Sequence, residues 1–158
     1  MNDARRLEQP FLWPVRVYWE DTDGGGIVYY ANYLKFMERA RTEWLRSFGL
    51  DQSRLARERG FLFIIVSVEA HYRLPARLDD ELVVTCHAQA RGRASFVFTQ
   101  DIYRGGYGGE LIVHGRTRAA CIDRDTFRPR PLPVELLEGI AAQPPNIRPG
   151  HSPLEPGA

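Results

Sequence analysis

Glu20, Asp21 and Asp23 place three carboxylates within four residues, and three consecutive glycines, Gly24-Gly25-Gly26, follow at once. Such a stretch can only be a loop, because successive glycines permit unusual dihedrals and let another molecule approach the backbone closely. A strongly apolar, helix-periodic segment begins directly after it, at Tyr30. A helix start offers unpaired backbone N–H groups and the positive end of the helix dipole. That combination suits acyl transfer: the amides hold an oxygen that gains negative charge, and a carboxylate beside them attacks the carbonyl or activates a water. Two other readings fit the same residues. One is a solvated acidic loop that merely caps the helix. The other is a metal site, which lacks a nearby histidine.

The elements that must position this loop are legible from periodicity. Val15-Arg16-Val17-Tyr18-Trp19 alternates and reads as a strand leading into the loop. From Tyr30 to Phe48, residues Tyr33, Phe36, Met37, Ala40, Trp44 and Phe48 recur at helical spacing. Together with Leu34 and Leu45 they cover an arc of roughly 180°, wider than a surface helix needs. Asn32 is the expected N-cap and Gly49 the stop. A shorter polar helix, Gln52 to Arg59, ends at Gly60. Beyond it Phe61–Leu74, Glu81–Arg91, Ala94–Tyr103 and Leu111–Asp123 alternate as strands joined by short turns, which predicts antiparallel neighbours. Val134 to Ala141 is a short amphipathic piece after Pro129, Pro131 and Pro133. One strand, one long apolar helix and four further strands predict an α+β arrangement in which a five-stranded antiparallel sheet curls around the helix, as in a hot-dog fold.

The 158 residues suit one domain, expected over 13–142 between a flexible lead-in at 1–12 and a disordered tail at 143–158, where five prolines and two glycines accumulate. The net charge of +1 argues against a broad surface for nucleic acid or anionic lipid. Of the 21 cations only Lys35 is a lysine. Cys86 and Cys121 have no metal or redox spacing and read as buried free thiols. The N-terminal MNDARRLEQP lacks an apolar signal core, and Phe61–Val66 is too short to span a bilayer. The expectation is a cytoplasmic protein without membrane insertion.

The stretch VYWEDTDGGGIVYYANYLKFMERARTE, residues 17–43, resembles the signature of the 4-hydroxybenzoyl-CoA thioesterase-like hot-dog proteins. Among these it is similar to the acyl-CoA thioesterases encoded with the Tol–Pal envelope system. Tyr72–Leu82, Phe96–Gln100 and Pro129–Pro133 support the resemblance in the same order along the chain. It implies hydrolysis of an acyl- or aroyl-CoA thioester to free acid and CoA, with no metal or other cofactor. Asp23 takes the place of the catalytic aspartate, as nucleophile or general base. The backbone N–H of Tyr30 takes the place of the group that polarises the thioester oxygen. Many Tol–Pal-associated members carry histidine there, so Tyr30 is a departure. Gly26, Ile27, Val28 and Tyr29 are the expected substrate contacts between them. The resemblance further implies a homodimer or homotetramer completing its sites across the interface. It makes Arg91 and Arg93, flanking Gly92 in a turn, candidates for the nucleotide phosphates. Arg73 and Arg77 are weaker candidates.

Glu38 and Glu43 lie at the rim of the helix's apolar arc, where pairing with Arg41 and Arg39 is the expected role. His71, His87 and His114 alternate with apolar strand residues and are not expected to be catalytic. No Gly-x-Ser-x-Gly elbow, Walker motif or dinucleotide fingerprint is present. The alternatives are a non-catalytic acyl-thioester-binding module and a module that docks acyl carrier protein.

Overall fold

The computed structural model describes residues 9–146 and residue 149. Most of the expected lead-in and tail lies outside these residues. Strands β1 (Phe11–Arg16), β2 (Phe61–Tyr72), β3 (Glu81–Arg91), β4 (Ser95–Arg104) and β5 (Glu110–Asp123) form one five-stranded sheet in the order β1-β3-β4-β5-β2, antiparallel throughout. Helices α1 (Asn32–Ser47), α2 (Gln52–Arg59) and α3 (Val134–Ala141) complete the fold.

Two strand expectations need correction. The first strand begins earlier than its alternation suggested, at Phe11, and ends at Arg16. Pro14 is tolerated inside it because β1 is an edge strand, where a missing N–H costs no ladder bond. The chain then turns into a 3-10 segment, Trp19–Asp21, because the Asp21 carboxylate accepts the Tyr18 N–H at 2.8 Å. Second, β2 and β3 are not neighbours despite their short connection. β2 pairs with β5 at the far edge, and residues 73–80 cross the end of the sheet to reach β3. The Arg73 N–H donates to Ile112 O at 2.8 Å, and Val17 N–H to Asp80 O at 3.0 Å, fixing the crossing at both ends.

The long helix buries Tyr33, Phe36, Met37, Ala40, Trp44 and Leu45 against the sheet. Its first half packs on Val15, Val17, Leu82, Val84, Ile102 and Ile112, its second half on Cys86, Phe96, Phe98, Leu132 and Leu136. Gly115 of β5 lies beneath Met37, where a Cβ would sit 2.6 Å from the methionine methyl. Both cysteines are buried and free, and burial raises the Cys121 thiol to about 11. One buried polar side chain links helix and sheet. Gln100, 1% exposed, accepts from Arg41 at 3.1 Å and donates to Met37 O and Thr85 O.

Helix ends follow local chemistry. Asp51 caps α2 by accepting the Arg54 N–H, and Gly60 closes it in the left-handed region at φ +71°. The cap of α1 is Ala31, with no side-chain bond, and not Asn32. After α3, the Gln143 amide accepts from Ala88 N–H and donates to Ala88 O, both at 2.7 Å. It takes the place of a strand at β3 beyond the end of β1. No described helix is long and apolar enough to cross a membrane.

Candidate active site

The acidic glycine-rich loop is a tight finger closed at its neck. Thr22 bridges Val28, the Asp23 N–H donates to Ile27 O at 2.8 Å, and the Gly26 N–H returns to Asp23 O at 3.2 Å. Gly26 sits at φ +79°, a region that penalises a Cβ. The carbonyl of Asp21 holds both sides of the neck, accepting the Tyr29 N–H and the Asn32 side-chain amide, each at 2.9 Å. Asn32 therefore braces the loop and does not cap the helix. A non-local partner 11 residues away wins over the local capping role.

Of the three acidic residues, the structure separates Asp21 from Asp23. Asp21 is buried, 5% exposed, and its carboxylate is spent on Tyr18. Asp23 is exposed; Oδ1 accepts the Gly25 N–H at 2.7 Å, and Oδ2 makes no hydrogen bond among the described residues. A carboxylate oxygen is thus held in place by its neighbour and left open to solvent.

Tyr30 stands across the neck, one residue before the helix cap. The Tyr29 carbonyl accepts the Asn32 N–H at 2.8 Å, so residues 29–32 form a turn with Tyr30 at its first corner. The Tyr30 N–H makes no hydrogen bond among the described residues. It is an unfilled donor at a helix start, where the dipole favours negative charge. The neck bonds of Asp21 and Thr22 bring this donor and Asp23 to the same end of the sheet.

The crossing segment 73–80 forms the other wall. Val28 N–H donates to Ala76 O at 2.9 Å, Ile27 bridges Arg77, and the Tyr33 hydroxyl accepts the Ala76 N–H at 3.0 Å. Burial raises the Tyr33 phenol. Tyr72 donates its hydroxyl to Tyr30 O at 3.1 Å and meets the Tyr30 ring edge-on at 6.2 Å. Tyr29 stacks tilted against Tyr30 at 4.8 Å, and a hydrogen bond with the Tyr30 phenol raises its ionisation. Tyr18, Trp19, Tyr29, Tyr30 and Tyr72 are all exposed, so an aromatic rim surrounds the loop.

Gly26, Ile27, Val28 and Tyr29 lie in the finger as expected, although Val28 is buried and offers only its backbone. The arginines divide. Arg77 adjoins the loop. Arg91 and Arg93 stand at the opposite end of the sheet, since β3 starts beside the loop and ten residues of strand span roughly 33 Å. Arg91 lines a cleft of about 540 Å3 with Ser67, Glu69, Arg116 and Arg118.

The helix carboxylates are engaged with partners other than those expected. Glu43 pairs with Arg46 and Glu38 accepts from the Thr42 hydroxyl, because each lies one turn along the same helix face. Arg41 reaches Gln100, and Arg39 lies over the Phe36 ring. His71 and His114 stack at 6.3 Å and bond to Glu69 and Asp101. Both alternate with residues packed beneath α1, which puts them on the other face of the sheet. No cluster of metal-ligating side chains occurs among the described residues.

Tyr72 and Asn32 hold the walls of this candidate site in contacts that local sequence did not reveal. The tyrosine carries no short-range signal, and the asparagine's helix-start position imitates a cap.

Comparison with known proteins gives consistent likenesses. A family model described as the thioesterase-like superfamily matches residues 17–140. The acyl-CoA thioester hydrolase YbgC of Escherichia coli O6:H1 is 41% identical over 127 residues, covering 80% of this chain and 92% of its own. The acyl-CoA thioesterase YbgC of Haemophilus influenzae is 37% identical over 130 residues, covering 82% of this chain and 93% of its own. Among solved structures, a 1,4-dihydroxy-2-naphthoyl-CoA thioesterase from Synechocystis superposes with a TM-score of 0.79 at 25% identity, covering 84% of this chain and 96% of that one.

Proposed function

The chain belongs to the thioesterase-like superfamily and is a hot-dog acyl-CoA thioester hydrolase, and on that premise we propose that Asp23 and the Tyr30 amide carry its chemistry. The carrying observation is the pair of unfilled groups at one end of the sheet: the free Oδ2 of Asp23 and the free N–H of Tyr30.

The thioester carbonyl lies between them. Its oxygen accepts from the Tyr30 N–H, and the helix dipole stabilises the charge that develops there. The Asp23 carboxylate either adds to the carbonyl carbon or takes a proton from the water that adds. In both routes the C–S bond breaks, CoA leaves as the thiol after protonation, and water supplies the oxygen of the acid. Gly24 and Gly25 leave the carbonyl's approach open, and Tyr29, Tyr30 and Tyr72 flank the acyl group. The Tyr30 side chain is not a donor in this scheme, so tyrosine in place of histidine leaves the oxyanion contact intact.

A homodimer completes the site. β2 is the longer of the two edge strands, 12 residues against 6 in β1, and exposes Ile64, Ile65, Val66 and Val68. A long apolar edge is normally covered. Twofold pairing of β2 with its copy would give one continuous sheet. It would also reverse direction, carrying the partner's β3–β4 turn toward this chain's loop. Arg91 and Arg93 would then serve the nucleotide end of CoA from the partner, alongside Arg77 of the same chain.

The test is thiol release from CoA esters of short aliphatic, long aliphatic and hydroxybenzoyl acids. Turnover with at least one ester is expected; absence of turnover with intact binding would leave a binding module. Two measurements then separate the routes: label entering Asp23 over many turnovers in oxygen-18 water, or an acyl-Asp23 anhydride trapped by rapid quench in a single turnover, marks attack by the carboxylate, and absence of both marks general base catalysis.

A further inference from the structure

The carboxylate and the amide assigned above come from opposite sides of the loop's neck, and one side chain ties those sides together. Asp23 stands two residues after Asp21, and Tyr30 stands two residues before Asn32. The Asp21 carbonyl accepts the Asn32 side-chain amide at 2.9 Å. The Asn32 backbone N–H donates to Tyr29 O at 2.8 Å. Asn32 is therefore bonded to both halves of the site.

Each bond fixes one of the two groups. Tyr29 O and the Tyr30 N–H belong to one planar trans peptide, so they point in opposite directions. Holding that carbonyl on Asn32 turns the Tyr30 N–H outward from the turn. Tyr30 O accepts the Tyr72 hydroxyl at 3.1 Å, so the next peptide is held as well. On the other side Asp21 is a fixed anchor. It is 5% exposed, and its carboxylate accepts the Tyr18 N–H at 2.8 Å. Between Asp21 and Asp23, the N–H and hydroxyl of Thr22 both donate to Trp19 O, and the Asp23 N–H donates to Ile27 O.

Helix stability does not account for this side chain. α1 has no side-chain cap, and the Asn32 amide reaches a residue 11 positions earlier. Asparagine is a weaker helix former than alanine. Aspartate, serine and threonine also suit a helix start. An ionised aspartate, however, has no donor for Asp21 O, and a hydroxyl ends one atom nearer the main chain.

We propose that Asn32 is a positioning residue of this site, an inference that rests on the assignment of Asp23 and the Tyr30 amide. Its side-chain amide sets the span between the carboxylate and the oxyanion donor, and it acts through main-chain groups alone. The Tyr29 N–H also donates to Asp21 O, at 2.9 Å, and closes the neck without it. Loss of the amide therefore loosens the alignment and spares the fold. A misplacement of about 1 Å between reacting groups can cost about 10²-fold, and the remaining backbone bonds limit the loss here to a part of that.

Asn32→Ala is compared in two backgrounds, the unaltered chain and Tyr30→Pro, by steady-state hydrolysis of an acyl-CoA. In the unaltered chain it should lower kcat about tenfold, with KM within about twofold. The melting temperature should stay within about 4 °C. In Tyr30→Pro no amide is left to position, so the same change should lower kcat by less than about threefold. A merely structural role predicts equal losses in both backgrounds, and that result overturns the proposal. So does an unchanged kcat in Asn32→Ala. Asn32→Asp keeps the shape, loses the donor and suits a helix start. It carries the same comparison if the alanine variant fails to fold, and it must show the same dependence on background. An unchanged kcat in Tyr30→Pro refutes the oxyanion reading and the proposal with it. A lowered kcat there, with equal losses from Asn32→Ala in both backgrounds, refutes the proposal alone.

Discussion

Asp23 accepts the Gly25 N–H through Oδ1 at 2.7 Å, and that bond orients the carboxylate so that Oδ2 faces solvent. The residue two places along the chain thus aims the proposed catalytic group. A Cβ added at Gly25 would sit 3.2 Å from Oδ1, tighter than ordinary contact. Asp23→Asn is expected to lower kcat at least about a hundredfold, the scale of a positioned acid–base group. Gly25→Ala keeps the carboxylate and displaces it, so kcat should fall less while the fold stays intact. Turnover by Asp23→Asn equal to that of the unaltered protein would remove Asp23 from the mechanism.

The oxyanion contact is assigned to a backbone group, which gives it an unusual test. Tyr30 is the first corner of a turn whose Tyr29 O to Asn32 N bond is already in place. Proline is favoured at that corner and has no N–H. Tyr30→Pro should preserve the turn and lower kcat about 10²–10³-fold, the usual cost of one oxyanion donor. Tyr30→Phe should stay within a few-fold, because the phenol donates nothing to the carbonyl. Steady-state kinetics on both variants, with circular dichroism as the fold control, separates the amide from the side chain.

Much of this site was legible in the sequence because its parts are local. The finger follows from carboxylates beside glycines, and the helix from 3.6-residue spacing across Tyr33, Phe36, Met37, Ala40 and Trp44. The strands follow from alternation. Their order did not, because it is set by pairing between distant residues. A short crossing at 73–80 looks like a hairpin turn, yet β2 finds its partner in β5, with a bulge between Ile65 and Ser67. Asn32 carries a capping residue's identity, and only the folded chain shows its amide on Asp21 O. Arg91 and Arg93 read correctly as a turn, but the length of β3 puts them far from Asp23.

The edge of β2 makes an assembly prediction. Val66 is 53% exposed on that edge, beside the bulge. A charge there opposes edge-to-edge pairing. Val66→Lys is expected to shift the protein from dimer to monomer by light scattering and to cut activity with it. A monomer retaining full turnover would show that the site needs no partner.

His87 gives a pH dependence of known sign. Burial lowers its ionisation below the ordinary value of 6.5. The folded chain therefore favours the neutral ring, and the unfolded chain binds the proton first. The contribution is fully present above the unfolded value and is lost as pH falls through about 6.5 toward the depressed folded value. Between about pH 7.5 and about pH 5.5 the melting temperature should drop less for His87→Gln than for the unaltered protein. Parallel curves would mean that His87 titrates alike in both states. The comparison isolates His87 from His71 and His114, which both proteins retain.

Gly139 tests how tightly α3 is docked. A Cβ there would lie 2.5 Å from the Phe48 ring. Alanine in a helix interior normally gains up to about 1 kcal/mol over glycine. Overpacking costs about 1–3 kcal/mol, and Phe48 has little freedom to yield because its ring already meets Trp44 edge-on at 4.9 Å. The clash therefore outweighs the helix gain, and Gly139→Ala should destabilise by about 1 kcal/mol in urea unfolding. Adding Phe48→Leu, which removes the ring edge, should restore part of the loss. A stabilised single variant would show that Phe48 swings aside and that α3 is held mainly by Leu136.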